Sequence, residues 1–219
     1  MMNRLLLAAA FQKILADIEI VESGSGELGD TPLTFANTLQ EKDFVLLHYI
    51  DVRPNSITHP AGYAINPIAT LDNEDIAYYA YKVMGATPDT SFNMSASEGA
   101  DGLAFTYYVL RNVNTDLPFA VISTESTTDV PASISPTTKS LVITSFFASG
   151  GANSSVSNAP IGFSGLEWFN ASAGNDALVA SAYKALANGA TEDPGTFTRS
   201  RTHNDYQCIT HAIQPKEGV

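Results

Sequence analysis

Five signals occur twice along this chain of 219 residues, in the same order. Phe44 and Leu141 lie at the head of apolar runs, and Gly62 and Gly162 sit in Pro-x-Gly-aromatic segments. Tyr81 and Tyr183 precede a lysine, Gly85 and Gly189 open Gly-Ala-Thr, and Leu110 and Ile213 lie late in a final apolar strand. The separations are 97, 100, 102, 104 and 103 residues, so the drift is confined to the connections, as duplication requires. Two copies of one unit must share a fold, and this decides an ambiguous stretch. Taken alone, the alanine-rich segment from Asp176 to Ala185 opens on an N-cap type and stops before Gly189, which is a helical pattern. Its counterpart, Asp75-Ile76-Ala77-Tyr78-Tyr79-Ala80-Tyr81-Lys82-Val83, is rich in tyrosine and β-branched residues and has the pattern of a strand buried on both faces. Both are therefore predicted to be extended. Residues 176–186 should hold no helix, and Tyr81 and Tyr183 should occupy one register.

Other strands are predicted at Ile18–Val21, Thr31–Phe35, Phe44–Ile50, Ile65–Leu71, Ser91–Ser95, Leu103–Val113, Ser140–Phe147 and Cys208–Ile213, with turns at the Gly, Pro, Asn and Asp clusters between them. Ser23-Gly24-Ser25-Gly26 has the composition of a flexible connection. With no long amphipathic helix after residue 16, the expected fold is all-β, an antiparallel β-sandwich of jelly-roll or Ig-like type built from two similar halves. The expected division is an N-terminal arm (1–16), a first β-sandwich repeat (17–115) and a second (116–219). Two small sandwiches packed together are favoured over one interleaved sandwich, because each half has a full set of strands.

The arm has some features of a short signal peptide, with Arg4, a brief apolar core and Ala8-Ala9-Ala10. Leu7, Phe11, Ile14 and Ile18 also fall at helical spacing. That stripe favours an anchoring arm, whose candidate contact residues are Leu5, Leu7, Phe11 and Ile14. No apolar run reaches the roughly 20 residues of a membrane span. A formal charge of −12, from 11 basic and 23 acidic residues, opposes both an anionic membrane and a nucleic-acid backbone as partner.

Lys42-Asp43, Pro60-Ala61-Gly62-Tyr63, Ala80-Tyr81-Lys82, Pro160-Ile161-Gly162-Phe163, Ala182-Tyr183-Lys184 and Ala212-Ile213-Gln214-Pro215 form an ordered series that resembles β-sandwich virion proteins of bacteriophages and prophages. It departs from them where tryptophan usually follows the glycine, since Tyr63 and Phe163 stand there and the single tryptophan is Trp168. The resemblance implies a capsid decoration protein, or a head- or tail-attached accessory protein, at the virion surface. It implies other virion proteins and further copies of the chain as partners, and it carries no catalytic residues.

The residues themselves point to little chemistry. One cysteine, Cys208, excludes an intrachain disulfide and a multi-cysteine zinc site, and its setting is that of a small hydrophobe. His48, His59, His203 and His211 have no close metal-ligand spacing, and each is expected to be a hydrogen-bonded structural histidine. Asp72-Asn73-Glu74-Asp75 lacks the alternation and glycine of a calcium loop, so a solvated turn is expected. There is no Gly-x-Ser-x-Gly elbow and no phosphate-binding loop. No catalytic residue, metal or cofactor is assigned. Tyr78 and Tyr79, together with Tyr81, Tyr107 and Tyr108, form an aromatic set that fills a core, meets a subunit or stacks on a glycan. The expected function is non-enzymatic and structural. The alternatives are a glycan-binding attachment domain and, less favoured, a β-sandwich glycan hydrolase.

Overall fold

The computed structural model describes residues 17–28, 32–51, 57–71, 75–96, 103–125, 128–149, 154–171, 177–203 and 205–217. Its first half contains β1 (Glu19–Leu28), β2 (Leu33–Thr34), β3 (Phe44–Asp51), β4 (Ile57–Thr58), β5 (Ala64–Leu71), β6 (Asp75–Val83), β7 (Ser91–Phe92), β8 (Ser95–Ala96) and β9 (Leu103–Arg111). The second contains β10 (Phe119–Glu125), β11 (Ser140–Ser149), β12 (Val156–Asn158), β13 (Ser164–Ala171), β14 (Ala177–Leu186), β15 (Thr198–Arg199) and β16 (Tyr206–Ile213). Among the described residues there is no helix.

Each half builds one five-stranded antiparallel sheet, in the order β1-β9-β3-β6-β5 and β10-β16-β11-β14-β13. These are one topology written twice, and the register agrees. Tyr81 stands opposite Leu46 and Ala64, and Tyr183 opposite Ile143 and Ser164. Leu46 also faces Tyr108, as Ile143 faces His211. Ala177–Leu186 is extended, as the duplication predicts, while Asp176 lies outside the described residues.

The two sheets stack, with β1 over β13, β9 over β14 and β5 over β16. Phe44, Leu46 and Tyr108 of the first pack with Leu141, Ile143 and Ile213 of the second. Ile50 and Ala104 likewise meet Phe147 and Val179. At one margin Ser23 Oγ donates to Glu167 Oε1 at 2.7 Å. The outer faces are covered as well. Val45, Leu47 and Tyr49 pack with Phe35, Phe92 and Met94, and on the second sheet Phe146 and Cys208 pack with Val156 and Phe197. A sheet covered on both sides explains why β3 is buried along its whole length and reads as a continuous apolar run.

The repeated motifs meet in space. Lys82 Nζ lies 5.6 Å above the Tyr63 ring and pairs with Asp89 at 2.5 Å. Its counterpart Lys184 lies 5.7 Å above the Phe163 ring and pairs with Glu192 at 2.7 Å. Gly62 and Gly162, at φ 78° and 83°, form the turns that present the two rings. The Tyr-Lys ending thus ties its strand to the Pro-x-Gly-aromatic turn through a cation–π contact and an ion pair.

Ser23-Gly24-Ser25-Gly26 is not a flexible connection but part of β1. A Cβ on Gly24 would stand 2.7 Å from Tyr107 Cε1, and one on Gly26 3.2 Å from Phe105 Cζ. The glycines make room for two rings of the neighbouring strand, so composition alone misleads here.

Register slips by one residue in each of the four edge strands: between Ile20 and Glu22, Pro67 and Ala69, Phe119 and Val121, and Ser164 and Glu167. The inner ladders of β3 and β11 run without interruption. Gly165 occupies the bulge in β13 at φ 60°, and a Cβ there would meet Tyr183 Cε1 at 2.0 Å. Gly165→Ala should lower unfolding free energy by about 3 kcal/mol, combining left-handed strain with overpacking. A urea titration should show a lower midpoint at an unchanged slope.

Candidate functional site

Three places bring reactive side chains together. The first lies between the sheets. His48 of β3 and His211 of β16 are fully buried, with ring centroids 5.1 Å apart. His211 also packs 4.8 Å from the Tyr79 ring. Both histidines are structural in position, but the expectation of hydrogen bonding fails: among the described residues none of their four ring nitrogens has a partner. Burial, and then the neighbouring His211, hold His48 well below the ordinary histidine value, while burial pushes His211 down to about 3. Beside them Ser181 Oγ lies 2.6 Å from Thr106 Oγ1 and 2.8 Å from Ser145 Oγ, a closed hydroxyl chain across the sheets. Both rings are neutral at physiological pH and sealed from solvent, so they serve neither as acid nor as base toward an external substrate.

The second place is the far end of β3. Asp51 is fully buried with neither carboxylate oxygen hydrogen-bonded among the described residues, and Asp75 beside it is also buried. Burial, and then the charge of Asp75, raise Asp51 to about 6. Tyr49 stacks on Tyr78 at 5.1 Å, and its hydroxyl lies 2.8 Å from His59 Nδ1. Above pH 6 the folded state carries a poorly solvated charge at Asp51, which the unfolded chain, at 3.8, holds without cost. Asp51→Ala should therefore raise stability at pH 7.5, by on the order of 2 kcal/mol. The gain should shrink toward pH 5, where wild-type Asp51 takes up its proton, and chemical unfolding at the two pH values measures the difference.

The third place is the end where the halves join. Asp43 accepts two bonds from Arg111, at 2.8 and 2.9 Å, and caps Gln40 N–H at 2.7 Å. Together with Lys42, Asn112 and Lys216 these residues line a cleft of about 430 Å³. Lys42 and Asn112, at φ 71° and 64°, are the non-glycine residues in the left-handed region among those described. A second concavity of about 240 Å³ opens beside Asp17 and Ile18, floored by Leu141 and Pro215.

The predicted interaction residues are separated by this geometry. Leu5, Leu7, Phe11 and Ile14 lie outside the described residues. Tyr78 is in the outer core against Tyr49, and Tyr79 points between the sheets toward His211 and Phe119. Because both faces of the sheet are covered, Tyr78, Tyr79, Tyr81, Tyr107 and Tyr108 divide between two cores instead of forming an exposed platform. His203 Nε2 lies 2.9 Å from Ser154 Oγ, both residues being buried. Burial pushes the Cys208 thiol up to about 12, which removes it as a nucleophile. Sequence reasoning missed Asp51 and the Arg111–Asp43 pair. The signal for Asp51 was a charged residue closing an apolar run where the other half has Ala148. No group of three or more metal-ligating side chains is assembled among the described residues. No protein-family model, curated protein or solved structure matches the chain.

Proposed function

We propose that this chain is a structural protein without an enzymatic role, a bacteriophage-type virion component that works through contacts with neighbouring subunits at the particle surface. The observation that carries the reading is what the two halves share. They have the same sheet order, the same register and the same Lys-aromatic-carboxylate tie. They do not share reactive groups. His48 corresponds to Ser145, His211 to Tyr108, Asp51 to Ala148 and Asp75 to Ala177 in the common register. A duplicated unit that keeps its packing devices and varies its polar chemistry is a scaffold. The virion assignment adds the resemblance of the motif series.

The glycan-binding alternative would use the cleft at the junction end, and among the described residues no aromatic ring lines it. The hydrolase alternative would use Asp51 and Asp75, both buried. Sedimentation velocity over a range of concentrations should show self-association, and a panel of glycosides and esters should show no turnover. Antibody to the full chain should label particle surfaces in a lysate of the source cells. A monomer at every concentration that hydrolyses a glycan would overturn the structural reading, and label confined to cell debris would overturn the virion part.

A further inference from the structure

We propose that the groove beside Asp17 is the seat for the N-terminal arm of a second copy of this chain, with Phe11 as the inserted side chain. The proposal rests on the assembly reading above and gives it a site. The groove, of about 240 Å³, is walled by Ile18, Leu141, Ala185 and Pro215, with Asp17 and Lys139 paired across its rim. Ile18 already packs on the apolar layer between the sheets. It is also the last member of the stripe Leu7, Phe11, Ile14 and Ile18. The arm therefore enters the body at the edge of an apolar hollow of a size to receive one of its own side-chain types.

Two observations choose a second copy over the chain's own arm. Asp17 and Ile18 form a wall of the groove, so Phe11 could enter from the same chain only by reversing direction within six residues. Arg4 to Ala16 contains no Gly, Pro, Asn, Asp, Ser or Thr. Such a segment lacks turn formers and favours a helix, which would hold Phe11 about 10 Å along its axis from Ile18 and clear of the chain's own groove. An isolated amphipathic helix of about 12–15 residues is marginal in water until its apolar face is covered. The arm carries Arg4 and Lys13 with no acidic residue, so the rest of the chain holds the whole negative excess. A cationic arm is thus drawn to an acidic body, which supports docking on the body without choosing which copy supplies it. If each copy offers both arm and groove, a reciprocal pair closes the assembly as a twofold dimer.

The test uses full-length chains. Phe11→Cys and Ala185→Cys are made separately, each with Cys208→Ala, mixed, and oxidised. The mixture should give a covalent dimer linking one chain of each kind, well above either variant alone. A chain carrying both cysteines that closes only on itself, with no product from the mixture, would overturn the exchange and seat the arm in its own groove. Absence of any cross-link would overturn the groove assignment. A second measurement guards against misfolding: Ala185→Glu, at an exposed position, should weaken self-association about tenfold. Removal of residues 1–16 should do the same, and the two changes together should add little. Self-association that both changes leave intact would overturn the arm–groove contact while sparing the structural reading. A monomeric wild type without turnover would overturn the arm–groove contact alone, and one that hydrolyses a glycan would overturn both.

Discussion

Lowering the pH from 7 to 5 should cost the folded protein about 2 kcal/mol at His211, with a further loss of the same sign at His48. In the unfolded chain each titrates near 6.5, whereas in the fold His211 is pushed down to about 3 and His48 is held well below its ordinary value. Below pH 6.5 the unfolded state binds more protons than the folded one, so stability falls as pH falls. The loss approaches 1.4 kcal/mol per pH unit for each ring. Asp51 works in the opposite sense. Its folded value of about 6 lies above the unfolded 3.8, so the native state takes up a proton first and gains about 1 kcal/mol over the same interval. The expected result is a net loss of stability, larger in Asp51→Ala, where the opposing contribution is gone. Among the described residues the rings packed on the histidines are Tyr79, Phe119 and Phe147, and Thr106 stands opposite His48, none of them a carboxylate that would hold an imidazolium. In the double variant His48→Leu, His211→Phe, the difference between pH 7 and pH 5 should vanish or reverse, whatever the packing change does at either pH. Denaturant midpoints at the two pH values decide it, and an undiminished acid loss in the variant would place the acid sensitivity elsewhere.

The second large effect is mechanical. Phe147 is fully buried where the sheets meet, packed with Ile50 and Ala104 of the first half and Val179 and Ile209 of the second. Phe147→Ala should cost about 3–5 kcal/mol, the usual range for an aromatic removed from a core. Because the residues around it come from both halves, the loss should appear as one transition. Trp168 fluorescence reports the second half, and exchange of the β3 amides reports the first. Coincident curves are expected. A first half that holds its protection while Trp168 unfolds would show that the sheets are independent folding units.

Sequence made the strand in β14 legible because Asp75–Val83 removed the helical option, and the matching register followed from matched Tyr-Lys endings. What escaped was what depends on a neighbouring strand. Gly24 and Gly26 resemble a linker until the rings of Tyr107 and Phe105 are placed above them. His48 and His211 lie far apart in the chain, and nothing local announces that their rings will meet without a partner. The tyrosines gave a correct strand but an unresolved role, since a one-dimensional pattern does not tell a sheet covered on both sides from one with an open face. Asp51 and Arg111 were silent for the same reason, as each acquires its character from groups brought to it by the fold.

Four bulges, one in each edge strand, have a consequence for how many copies can join. A smooth edge invites another edge, and that addition can repeat without end, because each new copy offers the same free margin. Here every margin is out of step by one residue, so a second sheet would find its donors and acceptors misaligned after a few rungs. Growth along the hydrogen-bonding direction is thereby disfavoured, and the self-association proposed above would fall to contacts at the ends of the sandwich. Under that proposal the bulges would favour counted assemblies, with a fixed number of copies, over fibres.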